Sequence, residues 1–217
     1  MLLFGDRITP EIIIALAAIL LIALPFHEFS HALAAFRLGD PTAKLLGRLT
    51  LNPISHLDPI GAILIVLVGF GWAKPTPYNP LNLRNGKLGE AIIAAAGPLS
   101  NLVLAVAAAL PLRYILATEM EVPFLVLQAL EIFIVLNVVL MIFNLVPIPP
   151  LDGSKLLFAA MDRRTEMQWR PVLEQYGILI LIAAMWLPIL PGGDTVVRLI
   201  VREIGFPIVD LLIGPVA

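Results

Sequence analysis

His27, Glu28 and His31 form an H-E-x-x-H pattern, two imidazoles four residues apart with a carboxylate next to the first. On a helix both rings fall on one face one turn apart, where they can bind a single zinc ion. Glu28 then falls beside the water that such an ion carries, in the place of a general base. The setting sharpens this reading. The pattern lies inside an apolar run, and an ionisable side chain at the centre of a membrane helix costs on the order of 2.5 to 3.5 kcal/mol or more to insert. A metal reached by a water-filled path offsets that cost, because it neutralises Glu28 locally and gives both histidines a partner. A helix end that is merely polar offers no such compensation. The chain has three histidines and no cysteine, which excludes disulfides and thiolate ligands and leaves His, Asp and Glu, donors that suit zinc.

Two histidines leave a catalytic zinc one protein ligand short. Asp152 is the leading candidate for the third. It closes the stretch Val146-Pro147-Ile148-Pro149-Pro150-Leu151-Asp152-Gly153, in which prolines remove backbone donors and unwind the chain and Gly153 permits a tight turn. The alternative is an Asp-Gly turn with no metal role. His56 has three conceivable roles at the metal, as a supplementary ligand, a proton shuttle or a stabiliser of the tetrahedral intermediate, against a structural role in its loop. Asp58 precedes Pro59 and reads as a helix cap, and Asn101 reads as interhelical glue.

Membrane helices must position these residues. Of 217 residues, 59% are hydrophobic and only 14% charged, with a mean hydropathy of +0.96, far from a soluble domain with its roughly 25% charged residues. The net charge of -2 comes without basic blocks, so nucleic acid is not an expected partner. The expected architecture is an all-α polytopic bundle of about five to six membrane segments. It forms one domain over residues 1–217, with a core over 10–162 and C-terminal helices over 172–213. Apolar runs predict helices over 10–38, 88–112, 122–146 and 172–190, the last closed by Pro191-Gly192-Gly193; residues 196–213 either span or lie in the interface. The N-terminal run leads into the polar motif without a small-residue cleavage site, so it reads as a retained helix. Residues 95–101 are rich in small side chains and read as a face for close helix packing.

The stretch 60–73 is apolar but short, and Gly69 and Gly71 interrupt it. Arg37, Lys44 and Arg48 precede it, Lys74, Arg84 and Lys87 follow it, and Lys155, Arg163, Arg164 and Arg170 mark a third basic loop. Basic loops are cytoplasmic, and both flanks of 60–73 share that side only if the stretch is re-entrant, which places it beside a functional site. Residues 46–51 and 72–78 are expected as short edge strands that pair with an extended substrate.

Taken together, His27-Glu28-Phe29-Ser30-His31, Ala96-Gly97-Pro98-Leu99-Ser100-Asn101 and the stretch from Asn144 to Gly153, in this order and in these hydropathic settings, resemble the site-2 protease family of intramembrane zinc metalloproteases. The resemblance implies His27, His31 and Asp152 as zinc ligands, Glu28 as general base, and Asn144 as a residue that positions the substrate or its oxyanion. It also implies a three-helix core that holds the metal below the cytoplasmic surface and hydrolyses a peptide bond in a partly unwound transmembrane substrate. Through residues 47–61 and Gly71-Trp72-Ala73-Lys74-Pro75 the chain is similar to a compact subgroup without a PDZ domain. The expected partners are transmembrane protein substrates and the lipid bilayer of a prokaryotic cell membrane, with the site open to the cytoplasm; a homo-oligomer is compatible with the sequence. Two other functions compete. A chaperone or receptor that binds transmembrane segments without cutting them has no need of Glu28, and a zinc transporter would spread polar residues over both membrane faces.

Overall fold

The computed structural model describes residues 9–68, 71–188, 190 and 193–214; the first eight residues, Gly69 and the expected Pro191-Gly192 break lie outside this set. Helix α1 (Pro10–Arg37) has 28 residues. Pro10 sits in its first turn, where a missing N–H costs nothing, after an extended Thr9. A π turn, Ile19–Ala23, interrupts it just ahead of Pro25. Proline cannot donate to the carbonyl four residues back, and a widened turn takes up that mismatch. Gly39, at φ +107°, ends the helix, a backbone conformation that favours glycine.

After α1 come a single turn, α2 (Thr42–Leu45), and a short apolar helix, α3 (Pro59–Val68). Asp58 caps α3 as expected, its Oδ1 accepting from the Ile60 and Gly61 N–H groups at 3.0 and 2.9 Å. Two long helices follow, α4 (Gly86–Ala117) and α5 (Phe124–Leu145), then α6 (Asp152–Ala160) and α7 (Arg163–Trp186). The last, α8 (residues 196–213), is broken by a second π turn, Val201–Gly205. At 1.5 Å per residue α1, α4 and α5 are about 42, 48 and 33 Å long, against a hydrocarbon core of about 30 Å. Among the described residues these are the three helices long and apolar enough to cross a membrane.

The three long helices form the core. Ala105, Ala108, Ala109 and Leu112 of α4 meet Ile134, Val138, Met141 and Ile142 of α5, with Val209 of α8 closing the cluster. Alanine on one side lets the two axes approach, which replaces the hydrophobic drive that lipid does not supply. Helix α1 lays Ile12, Ala15, Leu16 and Ile19 against Leu136 of α5, and further along its Ala35 meets Ile93 of α4.

Two expectations on local structure change. Helix α7 begins at Arg163 rather than at 172, because Asp162 Oδ1 accepts from Arg164 N–H and Thr165 N–H at 2.9 and 3.1 Å and starts the helix early. The expected strands over 46–51 and 72–78 do not form. Among the described residues the only β contact is one antiparallel bridge between Leu57 and Ala73. Pro75 and Pro77 have no N–H to offer a ladder, and the carbonyls of Lys74 and Pro75 accept from the Arg48 side chain instead.

Candidate active site

Helices α1 and α6 bring His27, His31 and Asp152 together. His27 Nε2 lies 3.0 Å from His31 Nε2, and Asp152 Oδ2 lies 3.2 Å from the first and 3.1 Å from the second. All three side chains are buried. Ligands bonded at about 2.0 to 2.1 Å to a tetrahedral zinc stand about 3.3 Å apart, so this triangle has nearly the size of one face of such a tetrahedron. His27, Glu28 and His31 also offer donor atoms that all lie within 4.8 Å of one another.

The surrounding hydrogen bonds fix which ring nitrogens face the triangle. His31 Nδ1 is 2.6 Å from the carbonyl of Ile93. A carbonyl only accepts, so Nδ1 carries the proton and Nε2 keeps its lone pair. For His27 the same logic runs along a chain of amides. Asn137 Nδ2 donates to the carbonyl of Phe133 at 2.9 Å, so Asn137 Oδ1 accepts from Asn101 Nδ2 at 3.1 Å. Asn101 Oδ1 therefore accepts from His27 Nδ1–H at 2.7 Å. Both imidazoles thus aim lone pairs at a carboxylate oxygen, an arrangement of three electron donors that calls for a cation between them. Zinc fits it.

Backbone geometry makes the room. A Cβ on Gly97 of α4 would stand 2.5 Å from His27 Nε2 and closer still to His31 Nε2, so only glycine leaves space where the lone pairs converge. Gly153 lets the start of α6 lie against the carbonyls of Leu145 and Val146 at the end of α5, which a Cβ would strike, and this contact carries Asp152 to the histidines. Burial alone would raise the Asp152 carboxyl. Lys155 Nζ, 3.3 Å from Oδ1, sets a positive charge against that and favours the carboxylate.

Glu28 is buried next to the triangle. Thr76 Oγ1 lies 2.7 Å from Glu28 Oε2 and 3.0 Å from its main-chain carbonyl. Among the described residues no hydrogen bond turns His56 toward His27, His31 or Asp152: its Nε2 donates to the carbonyl of Thr50 at 2.7 Å and its Nδ1 faces Arg48 Nη2 at 3.4 Å. Asn144, one residue before the end of α5, donates from Nδ2 to the carbonyl of Leu140 at 2.9 Å. Sequence reasoning missed Asn137, Thr76 and Arg48. An asparagine in the middle of an apolar helix was the available signal for the first, since a polar group at membrane depth marks function by default. Nothing local announces the other two.

The chain is similar to known proteins over most of its length. The family model described as Peptidase family M50 matches residues 117–187, the stretch that holds Asn144 and Asp152. The protein named "Putative zinc metalloprotease YwhC" from Bacillus subtilis (strain 168) is 37% identical over 193 residues, covering 83% of this chain and 88% of its own length. Rip2 of Mycolicibacterium smegmatis, similarly named, is 31% identical over 175 residues, or 78% of this chain and 66% of its own. Rip2 of Mycobacterium tuberculosis (strain H37Rv) is 28% identical over 179 residues. The comparison with solved structures gives no match. With YwhC aligned over most of both chains and an H-E-x-x-H helix at the centre of the fold, the chain belongs to peptidase family M50, the site-2 protease family, and is a membrane-associated zinc metalloprotease.

Proposed function

We propose that this protease is an intramembrane endopeptidase that cuts its substrates within or beside their transmembrane segments, with His27, His31 and Asp152 holding the zinc and Glu28 as general base. Depth is the observation that supports it most. His27 and His31 precede Arg37, the last residue of α1, by ten and six positions, about 15 and 9 Å along the helix axis, within a helix long enough to cross the bilayer.

When bound, zinc polarises the scissile carbonyl and brings the pKa of a water toward neutrality. Glu28 takes a proton from the attacking water as its oxygen adds to the carbonyl carbon, then passes that proton to the leaving amine as the C–N bond breaks. The amide of Asn144 uses one of its two N–H donors on Leu140, and the other is assigned to the substrate or its oxyanion. Because this chemistry needs an extended peptide, the substrate helix must unwind locally before it reaches the site.

The stretch 60–73 is taken as re-entrant. Leu57 and Ala73 are bridged, Lys74 N–H donates to the carbonyl of His56 at 2.8 Å, and the ten residues of α3 reach only about 15 Å, half the hydrocarbon core. The chain leaves and returns at one point, which supports a common, cytoplasmic side for the basic loops around it. Helices α7 and α8 then add the further membrane or interfacial segments of a single multi-pass domain in a prokaryotic cell membrane. The test is cleavage of a labelled single-span membrane protein in liposomes, with the cut bond mapped by mass spectrometry and a chelator as control. A chelator-sensitive cut inside or at the edge of the apolar segment is expected. Cuts confined to soluble tails far from the bilayer would refute the intramembrane reading.

A further inference from the structure

The reaction as described leaves one buried cation without a task. Arg48 is 5% exposed, and its Nε–H is buried with no partner among the described residues. Its guanidinium donates to the carbonyl of Lys74 and, at 3.2 Å, to that of Pro75, and Nη2 lies 3.4 Å from His56 Nδ1. Glu28 Oε2 is the carboxylate oxygen beside it, 4.0 Å from Nη2. Burying a charge is costly even after relaxation, and a pair at this distance with one donor unmatched does not fully recover it. Apolar residues would close the same loop at less cost.

What the guanidinium holds is the approach to Glu28. Lys74 and Pro75 immediately precede Thr76, whose hydroxyl lies 2.7 Å from Glu28 Oε2. His56 holds the guanidinium in turn. Its Nε2–H is committed to the Thr50 carbonyl, so its Nδ1 presents a lone pair to Arg48. The order runs from Thr50 through His56, Arg48 and the 74–76 segment to the carboxylate. We propose that Arg48 is a positioning residue for Glu28, clamping the carbonyls of Lys74 and Pro75 so that Thr76 donates to the Glu28 carboxylate while the guanidinium sets positive charge beside it. This rests on Glu28 being the general base. It gives His56 a part in the reaction at two removes from the metal.

The test uses full-length, zinc-loaded variants in detergent, with zinc content, kcat and KM measured on one labelled substrate. Arg48→Met removes the charge and the donors at similar length. It is expected to keep its zinc and its KM within about twofold and to lose about 10 to 100-fold in kcat, the range seen for groups that orient a site from outside. Arg48→Lys keeps the charge but has no fork to span two carbonyls and His56, so it falls in between. Thr76→Val lowers kcat alone, and Thr76→Ser restores it. Unchanged kcat in Arg48→Met or in Thr76→Val overturns the proposal, as does a deficit carried by KM or by zinc loss. Should Arg48→Met fail to fold, the Thr76 pair decides. Glu28→Gln in the same series separates the two levels: an active Glu28→Gln removes the proposed base and the brace with it, whereas an inactive one beside a fully active Thr76→Val removes the brace alone.

Discussion

The proposed metal triangle and the proposed brace over Glu28 are built differently. At the triangle, both histidines hang from α1 and are held from behind by α4 and α5, through the Ile93 carbonyl and the Asn101–Asn137 relay that ends on the Phe133 carbonyl. At the brace the partners come from a loop layer, Arg48, Thr50, His56 and residues 74–76, and one buried donor stays unmatched. The difference matches the tasks. A divalent ion needs donors fixed to a few tenths of an ångström, which long packed helices provide, whereas the proposed base is held by a segment outside them.

The largest effect is expected where the rigid region has no slack. Gly97→Ala should help α4 by its helix propensity, about 1 kcal/mol, yet its methyl would stand 2.5 Å from His27 Nε2. The site term wins, because a methyl at that distance occupies the space in which the lone pairs meet. The protein is expected to fold with unchanged or raised thermal stability, to bind no zinc and to be inactive. A zinc-loaded, active Gly97→Ala would show that the triangle lies elsewhere.

One step weaker is the relay. Asn101→Leu takes the acceptor from His27 Nδ1–H and frees the ring to turn or change tautomer, so zinc affinity should fall about 10 to 100-fold. Asn137→Leu acts only through Asn101 and should cost less. Competition with a chromophoric chelator measures both, and equal losses, or a larger loss at Asn137, would break the proposed order of the relay.

The smallest effect belongs to the loop region. Burial, with Arg48 beside it, pulls the His56 imidazole below its ordinary pKa despite the Thr50 carbonyl that favours the charged ring. A base whose pKa is lowered on folding binds fewer protons in the folded state. Its contribution to stability is therefore present above the ordinary imidazole value of about 6.5 and is lost as pH falls through the lowered one. The melting temperature in detergent should drop less steeply between about pH 7 and pH 5 in His56→Gln than in the parent protein. Parallel curves would mean that His56 is not held neutral by this pocket.

The same contrast explains what the sequence disclosed. His27, Glu28 and His31 were legible because helical periodicity converts four-residue spacing into a shared face, and Asp152 because prolines and a glycine isolate it at a helix boundary. The three long helices were legible from apolar runs, with ends displaced by one to five residues at α4 and α5. Gly97 and Asn101 were read as packing residues, and they do pack, but what they pack against is the pair of histidine rings, a relation between helices that no single-helix pattern carries. The brace was illegible for a stronger reason. Arg48 meets partners 26 and 27 positions away across a bridge at Leu57 and Ala73, so neither spacing nor hydropathy announces it. The expected strands failed at the same place: Pro75 and Pro77 removed ladder donors, and a side chain took the carbonyls that a partner strand would have used.

The central claim is that Asp152 completes the metal site while Glu28 and His56 serve it without binding the ion. It is tested most directly by zinc stoichiometry, with activity measured alongside, on purified Asp152→Ala, Glu28→Gln and His56→Ala. The expected result is a largely zinc-free, inactive Asp152→Ala, a Glu28→Gln that holds about one zinc per chain and cuts nothing, and a His56→Ala that keeps its zinc and cuts slowly. A zinc-replete Asp152→Ala beside a zinc-depleted His56→Ala would contradict it and return Asp152 to the role of a turn residue.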